Sequence, residues 1–451
     1  MKKQALIALI LSLILLCACV PTPDEEAVVN RADDALEKAV RGKPVDPYTY
    51  EAPTRLDNTE LIREQEVRFE ADVELPDAQQ YPVTTIKQRT FAANDVAALL
   101  KAVSQGDWTI RENELSREEL AVDLKNAAKG AYMGDDEETG EPIWEPMEDE
   151  MRRIQKLIEE APVEDTFVPI EPKKLTFPIK MRAVRDGDGT VWYLFGKSGM
   201  ISLSRFRDGN IQYEDWVLLG DATPGEPAHT LENIRISEAD AIAKGDAVIA
   251  ALGLTDFKVA DVQKARYIQS YSYTNLGEGF FLTYVPALGG AVPCYYRESP
   301  DPEFLTWEYT KDSALTYAPL WDQEYVQMFI TDEGLLHLGW DSPKETVLVA
   351  NENVQLLPFE EIQKNVMKII EYCTAGSKNA PILVKRIVLT TAIAQIPDQG
   401  DEAFLVPAWA FFVTNEQNER DHIPQEVLLV NALDGTMIYQ SKLLDGLPDL
   451  P

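Results

Sequence analysis

The apolar positions of the chain follow two periods, and each period predicts a different kind of element. In Val67–Val73 every second residue is apolar, which is typical of a half-buried strand. In Phe91–Val103 the apolar residues recur at helical spacing. Short apolar stretches at Lys180–Arg185 and Thr190–Phe195 predict two further strands. We therefore expect residues 61–225 to form an N-terminal α+β domain.

Turns and charged segments separate these elements. The Asp-Gly-Asp-Gly tetrapeptide at 186–189 is typical of a hairpin turn. It does not fit an EF-hand loop, because Val191 and Lys197 stand where that loop needs glycine and glutamate. Residues 134–150 are strongly acidic and lead into a predicted helix at Glu148–Glu160. We interpret them as a solvated connection, with a Ca²⁺-binding loop as the alternative.

The C-terminal half contains an internal repeat. A shift of 121 positions carries the segment starting at Ile236 onto the one starting at Leu357 without a gap. The two copies share a Val-Pro-Ala tripeptide, at 285–287 and at 406–408. A repeat of this length predicts duplicated domains, here a first unit at 226–345 and a second at 346–451.

Each copy has the same predicted order of elements, which is a helix, two strands and a terminal hairpin. Ser237 suits the start of the first helix and Pro358 that of the second. The hairpin turns fall at Gly334 and Gly435, because glycine accepts the positive φ of a tight turn. The fold class predicted for the whole chain is α+β, in which an N-terminal mixed region precedes two tandem helix-plus-antiparallel-sheet units.

The N-terminus predicts export and lipid attachment. An apolar run from Ala5 to Cys19 follows Lys2 and Lys3, and it is too short to cross a bilayer of roughly 30 Å. It ends in Leu16-Cys17-Ala18-Cys19, which resembles the bacterial lipobox with Cys19 as the lipid acceptor. Cys17 departs from the Ala, Ser or Thr that is more usual there. The alternative is an uncleaved anchor helix, and in both cases the remaining chain is expected outside the cytoplasm.

This N-terminus predicts a signal peptide at 1–18 and a lipid-tethered region at 19–60. Asp24 can cap a helix that runs to about Val40. Residues 41–60 are polar and contain proline, so we predict a linker there.

The charge of the chain limits its partners. It has 42 Lys and Arg against 76 Asp and Glu, a formal net charge of −34. Such a surface repels nucleic-acid phosphate and anionic lipid headgroups, so we expect no nucleic-acid partner and membrane contact only through the lipid. We interpret the acidity as a source of solubility, with cation binding or a basic partner as the alternative.

No residue pattern predicts a catalytic, cofactor or metal site. His229, His337 and His422 are far apart and lack metal-ligand spacing. The fragment Gly196-Lys197-Ser198 is not a P-loop, because Val191 stands where the first glycine is needed. The sequence does not exclude a hydrolase that uses two of its many carboxylates, because residues this abundant give no specific signal.

Two further features of the sequence bear on ligand binding and on cross-linking. An insertion in the first copy contains Tyr317 and a candidate ligand surface, whose aromatic side chains could bind a sugar or a basic peptide and could equally cover the sheet. The residues of that candidate surface are Tyr295, Tyr296, Trp307, Tyr309 and Trp321. Cys294 and Cys373 could form a disulfide outside the cytoplasm, while a free buried Cys373 is equally consistent with its helical position.

The end of the second copy resembles known envelope domains. The strand beginning Val406-Pro407-Ala408-Trp409 and the hairpin containing Asn431-Ala432 and Gly435 look like the end of a PepSY-like domain, and are similar to the YycH/YycI regulators. The likeness covers roughly residues 232–451. The whole chain resembles lipoproteins of Gram-positive gut anaerobes for which no activity is established.

The resemblance implies a non-enzymatic role, either in protease inhibition or in accessory control of sensors and cell-surface enzymes. The chain departs from YycH/YycI by having a lipid signal where those proteins have a transmembrane helix. Our leading hypothesis is a lipid-anchored extracytoplasmic binding or regulatory protein, whose ligand is an envelope protein, a peptide or a glycan. The alternatives are an exported carboxylate-dependent hydrolase and a solute-binding lipoprotein.

Overall fold

The structure is a computed structural model. It describes residues 35–62, 65–113, 115–135, 142–171, 174–205, 216–219, 234–269, 274–289, 316–317, 321–373, 381–396, 401–416 and 426–439. Among these residues no helix is long and apolar enough to span a membrane. The predicted signal peptide, the lipobox with Cys19, and residues 24–34 of the predicted N-terminal helix lie outside them.

The helices in these ranges are α1 Ala35–Val40, α2 Ala93–Val103, α3 Arg117–Lys129, α4 Glu148–Glu160, α5 Glu238–Leu252 and α6 Phe359–Cys373. The strands are β1 Arg55–Ile62, β2 Gln65–Glu74, β3 Val83–Gln88, β4 Thr109–Arg111, β5 Ala131–Asp135, β6 Pro142–Glu145, β7 Phe167–Pro169, β8 Ile179–Arg185, β9 Val191–Lys197, β10 Met200–Arg205, β11 Trp216–Leu219, β12 Phe257–Gln269, β13 Thr274–Pro286, β14 Thr316–Tyr317, β15 Tyr325–Thr331, β16 Gly334–Asp341, β17 Lys344–Asn351, β18 Ile382–Gln395, β19 Glu402–Asn415, β20 Glu426–Asn431 and β21 Met437–Tyr439. The predicted α+β class is confirmed.

The chain divides into two compact units that interleave in sequence. Of the described residues, unit 1 contains those up to Lys87, those from Leu288 to Trp321 and those from Thr346 onward; unit 2 contains the rest. The predicted domain boundaries follow the sequence repeat, whereas the units follow contacts in space. β2 lies in the predicted N-terminal domain but pairs in parallel with β18 of the second copy. Such a pairing joins residues that are distant in sequence, so no local pattern predicts it.

Unit 2 is built on a ten-stranded sheet in the order β11-β12-β13-β15-β16-β10-β9-β8-β4-β7. Neighbouring strands are antiparallel throughout. Helices α2 and α5 share one hydrophobic core with the sheet, through residues such as Leu99, Ile249, Leu203 and Leu338. All four are buried, so this helix-covered side is the main core of the unit.

The element order of the sequence repeat is present in both copies. Helix α5 precedes the meander β12-β13-β15-β16, and α6 precedes the meander β18-β19-β20-β21. The Ser237 hydroxyl caps α5 by accepting a hydrogen bond from Asp240 N at 3.1 Å. Gly334 and Gly435 have φ of 108° and 74°, as their predicted turns require.

A third set of elements follows the same order without being visible in the sequence. Helix α2 precedes β4, β8, β9 and β10, which are neighbours in that order. This set and the α5 set meet where β10 pairs with β16, with Ile201 opposite Trp340. Unit 2 therefore contains two similar halves joined by their last strands.

Unit 1 has a sheet in the order β1-β2-β18-β19-β20-β21-β14, with β3 paired to β19 and to β17. Helix α6 buries Phe359, Ile362 and Val366 in a core that also contains Trp409. The rings of Phe359 and Trp409 meet edge to face, with centroids 4.9 Å apart.

The segment before β1 is fixed to unit 1 by asparagine and tyrosine side chains. Asn353 Nδ2 donates to Val45 O at 3.0 Å and to Asp46 O at 3.1 Å, while its Oδ1 accepts from Tyr81 N at 2.8 Å. The Tyr50 hydroxyl donates to Leu357 O at 2.7 Å. The predicted linker at 41–60 is thus an ordered part of the unit that runs into β1, since buried amides supply its hydrogen bonds.

We predict that Asn353→Ala destabilises the protein by about 2–4 kcal/mol, because it removes three hydrogen bonds and leaves buried backbone groups unpaired. Urea denaturation followed by circular dichroism measures the change. The control is Glu352→Ala at the exposed neighbouring position, which should shift the free energy of unfolding by less than about 0.5 kcal/mol. Equal effects of the two substitutions would contradict this assignment.

Candidate functional site

The open end of the hairpin β15–β16 in unit 2 contains three side chains whose pKa is strongly shifted by burial, Glu324, Asp341 and Lys344. We call Asp322, Glu324, Asp341, Lys344 and Lys197 the acid–lysine cluster. The register of the sheet brings two of its members together, because Asp341 is opposite both Tyr325 and Met200, and Met200 is opposite Lys197. Residues directly opposite one another point to the same side, so Asp341 and Lys197 share a face of the sheet.

Glu324 is the buried member of the cluster and closes the open end of the hairpin. Its Oε1 accepts a hydrogen bond from Trp340 Nε1 at 2.9 Å, and its Oε2 accepts one from Lys344 N at 3.1 Å. The residue is 7% exposed. Burial raises the pKa of the carboxyl to about 7, against the opposing effect of the Trp340 and Lys344 hydrogen bonds.

Lys344 is held by main-chain oxygens next to this carboxyl. Its Nζ donates to Ser342 O at 3.0 Å and also to Asp322 O. Burial lowers the pKa of the ammonium to about 8, while Glu324 and Asp322 oppose that shift. Ser342 has a φ of 47°, a left-handed conformation that a serine adopts at a cost. The turn is secured by Ser342 N donating to Gly199 O at 2.7 Å.

Arg89 covers the helix-facing side of the cluster. Its guanidinium carbon is 5.2 Å from the centroid of the Trp340 ring and 5.5 Å from that of Phe91. Its Nη1 donates to Asp95 Oδ2 at 3.0 Å, and its main-chain N donates to Pro343 O at 2.9 Å. The positive charge of Arg89 favours the ionised form of Glu324, though less than burial opposes it.

Asp341 is the second carboxyl with a strongly shifted pKa. Burial and then the nearby Asp322 raise its pKa to about 7, and Lys197 acts in the opposite direction. Asp341 and Glu324 therefore exchange protons near neutral pH, in the range where general acids and bases operate. Structural ion networks also perturb pKa values, so the shifts mark a candidate site and do not by themselves assign a reaction.

Chemically, the acid–lysine cluster can store and release protons. Among the described residues no group of three or more His, Cys, Asp or Glu side chains could hold a metal ion. Both oxygens of Glu324 are occupied by hydrogen bonds, which removes it as a nucleophile in this conformation. Asp341 is only half-buried and is the more accessible acid.

A serine and a histidine meet on the same sheet. Ser204 Oγ and His337 Nδ1 are 2.9 Å apart, as expected for residues directly opposite on β10 and β16. Burial lowers the pKa of His337 to about 4, so the ring is neutral at physiological pH. A serine nucleophile would also need donors for an oxyanion, and both strands are hydrogen-bonded to a strand on either side. We therefore interpret the pair as a cross-strand contact within the sheet.

A separate buried network anchors α3 to the sheet. Arg111 contacts Glu119 and lies 3.2 Å from Asp165, and the side chains of Arg111 and Glu119 are 4% and 5% exposed. The Tyr193 hydroxyl donates to Glu119 Oε1 at 2.9 Å. Burial and the charge of Glu119 raise the pKa of Tyr193. Because each charge has a partner, the network explains how α3 attaches without requiring a ligand.

Most residues singled out in the sequence lie outside the described ranges. These are Cys19, Tyr295, Tyr296, Trp307, Tyr309, Cys294, His229 and His422. Trp321 is described and half-buried. Nothing in the structure tests the candidate ligand surface, the disulfide or the lipidation site, and these stay predictions.

No pattern in the sequence predicts the acid–lysine cluster. Its members are ordinary Asp, Glu and Lys residues in a chain rich in carboxylates. Only the pairing of β16 with β10 brings Asp341 and Lys197 onto one face. The one local signal was Asp341-Ser342-Pro343-Lys344, in which charged residues flank a proline at a strand end.

We predict that Glu324→Gln flattens the dependence of stability on pH between about 4.5 and 7. The folded carboxyl has its pKa raised from 4.5 to about 7. Its stabilising contribution is therefore fully present below pH 4.5 and is lost as the pH rises through 7. The lost contribution is about 3 kcal/mol for a shift of this size.

The measurement is urea denaturation at a series of pH values, compared between parent and variant. His337 acts in the opposite direction, because a lowered histidine pKa contributes stability that is lost as the pH falls from 6.5 towards 4. Subtracting the stability profile of the variant from that of the parent cancels the contribution of His337, which both proteins share. Glu159→Gln, at an exposed position of α4, is the control and should leave the parent profile unchanged. A Glu324→Gln profile parallel to the parent's would contradict the prediction.

Comparison with known proteins gives a distant structural likeness and no family. No protein-family model and no curated protein match the sequence. An uncharacterized protein from Eubacterium rectale aligns over 91% of this chain and 99% of its own, at 11% identity and a TM-score of 0.43. A TM-score of this size carries neither fold nor function from that protein to this one.

Proposed function

We propose that the protein is a lipid-anchored, extracytoplasmic binding or regulatory protein that is not an enzyme. The observation that carries the proposal is the recurrence of one helix followed by a four-stranded antiparallel meander, as α5 with β12, β13, β15 and β16 and as α6 with β18 to β21. We interpret both as PepSY-like units. The resemblance of such units to inhibitory and accessory domains supports a binding role.

The chemistry of unit 2 also favours binding over catalysis. The Ser204–His337 pair lies between fully paired strands, and Glu324 is occupied by Trp340 and Lys344. These groups therefore have structural roles that account for their positions. The ligand we propose is an envelope protein, a peptide or a glycan, and the net charge of −34 favours a cationic one.

The anchor is tested directly by lipid labelling. We predict that the full chain, expressed in a bacterium with a lipoprotein pathway, incorporates radiolabelled palmitate and that Cys19→Ala abolishes the label. Cys17→Ala is the matched control and should keep it, because Cys19 is the proposed acceptor. Label retained in Cys19→Ala and lost in Cys17→Ala would show that Cys17 is the lipid acceptor and would contradict the prediction.

The binding role is tested by crosslinking in intact envelopes, followed by recovery of the protein and identification of what is attached. The proposal expects the same adduct from the parent and from Asp341→Asn, because binding does not require an ionisable group at that position. Failure to recover any protein, peptide or glycan after crosslinking would contradict the proposal.

One observation favours a second candidate, an exported hydrolase with Asp341 as its acid. A half-buried carboxyl with a pKa of about 7 can be protonated near neutrality, as a general acid must be. If this candidate is right, the full chain hydrolyses a member of a glycan or peptide panel, and Asp341→Asn lowers the rate by about 100-fold or more. Asp107→Asn, at an exposed position of the same unit, is the control. Our proposal expects no hydrolysis by any of the three proteins.

A further inference from the structure

Strand β17 is unusually open for a strand of a folded sheet. Among the described strands it pairs only with β3, which leaves its other edge without a strand neighbour. Five consecutive residues, Glu345 to Val349, are exposed. Val347, Leu348 and Val349 are 40%, 51% and 54% exposed, so side chains on both faces of the strand contact solvent. An exposed aliphatic edge of this kind is a template for pairing with another strand.

The edge strand β1 shows how this chain protects an edge elsewhere. Its sequence is rich in charge, with Arg55, Asp57 and Glu60 along eight residues. Charged side chains on an edge oppose pairing with a second chain. β17 has no charged residue from Thr346 to Asn351, and Pro343 lies outside the strand. The protection present on β1 is therefore missing from β17 beyond Glu345, which keeps one charge at the start of its exposed part.

The sequence of β17 is nearly symmetric about Leu348. In an antiparallel pair, residues directly opposite point to the same face, so a two-fold axis normal to the sheet must pass through a residue position. With the axis at Leu348, each Val347 lies opposite Val349 of the other copy and each Thr346 lies opposite Ala350. With the axis at Val347, Glu345 would instead lie opposite Val349. Only the Leu348 axis pairs all three exposed aliphatic residues with one another.

We propose that β17 is a self-association site, at which it pairs antiparallel with β17 of a second copy about a two-fold axis at Leu348. The pairing places four valines on one face and two leucines on the other, in the cross-strand contacts that stabilise sheets. It also gives hydrogen-bond partners to the main-chain groups of the open edge. The contact is isologous, so it closes as a dimer and does not propagate.

The net charge of −34 sets the strength and the salt response of this dimer. Two chains of like charge repel, and this repulsion is screened as ionic strength rises. A single pair of short strands buries less surface than a stable dimer needs, so the contact is weak and reversible. We expect a dissociation constant on the order of 10–100 µM in about 0.5 M salt, rising several-fold at about 0.05 M salt.

Cysteine crosslinking tests the register. Residues directly opposite in an antiparallel pair have Cα atoms about 4.5–5.5 Å apart, within reach of a disulfide. Leu348→Cys should therefore give a disulfide-linked dimer under mild oxidation of the full chain in non-ionic detergent. Thr346→Cys should not, because the two positions 346 are four residues out of register, roughly 13 Å apart. The parent chain is the control for its four native cysteines.

Analytical ultracentrifugation tests whether the exposed valines of β17 form the dimer interface. Val347→Lys/Val349→Lys should raise the dissociation constant at least tenfold, although it lowers the net negative charge and so weakens the long-range repulsion. Val163→Lys, at an 80% exposed valine of unit 2, should change it by less than about twofold. Far-ultraviolet circular dichroism checks that each variant is folded.

Three results would overturn the proposal. They are a parent chain that stays monomeric in about 0.5 M salt at several hundred micromolar, equal crosslinking of Leu348→Cys and Thr346→Cys, and a dissociation constant unaffected by the double lysine variant. If the parent chain is monomeric, the open edge of β17 is available to pair with an extended segment of a different protein.

Discussion

The pairing of β10 with β16 is the interaction on which the rest of unit 2 depends. It places Ile201 opposite Trp340 and Ser204 opposite His337, and so joins two similar sets of strands into one sheet. The buried side chains on its helix-facing side, among them Leu203 and Leu338, belong to the core that α2 and α5 cover. The same pairing sets Asp341 beside Met200 and hence near Lys197. Without it Asp341 and Lys197 would not share a face of the sheet.

Local pattern predicted much of the secondary structure, because the hydrophobic periods and turn residues act at short range. The alternation in Val67–Val73 became β2, whose residues are buried at every second position. The helix at Glu148–Glu160, the cap at Ser237 and the glycine turns at 334 and 435 are present as expected. Each of these depends on residues within a few positions of one another.

What the sequence did not predict is set by contacts between distant residues. The third helix-plus-strand set was hidden because α3 and α4 separate β4 from β8, and because β4 has only three residues. The interleaving of the units depends on β2 pairing with β18, where Val67 lies opposite Ile382. The shifted pKa values of Glu324 and Asp341 come first from burial, which their residue type does not reveal. The extent to which the repeats are PepSY-like, and the anchor at Cys19, stay proposals.

Two features of this protein are of functional interest. The acid–lysine cluster closes a hairpin end in unit 2, and the open strand β17 offers an edge for assembly. Strand β17 belongs to the nine-stranded sheet, whereas the acid–lysine cluster depends on the ten-stranded sheet and on its β10–β16 junction. Hydrogen–deuterium exchange of the full chain, read at the amides of β10 and β16, tests this most directly. The account predicts that residues 201–204 and 336–340 exchange as slowly as central strands such as β19, because both strands are paired on either side. Exchange as fast as at the edge strand β1 would contradict it.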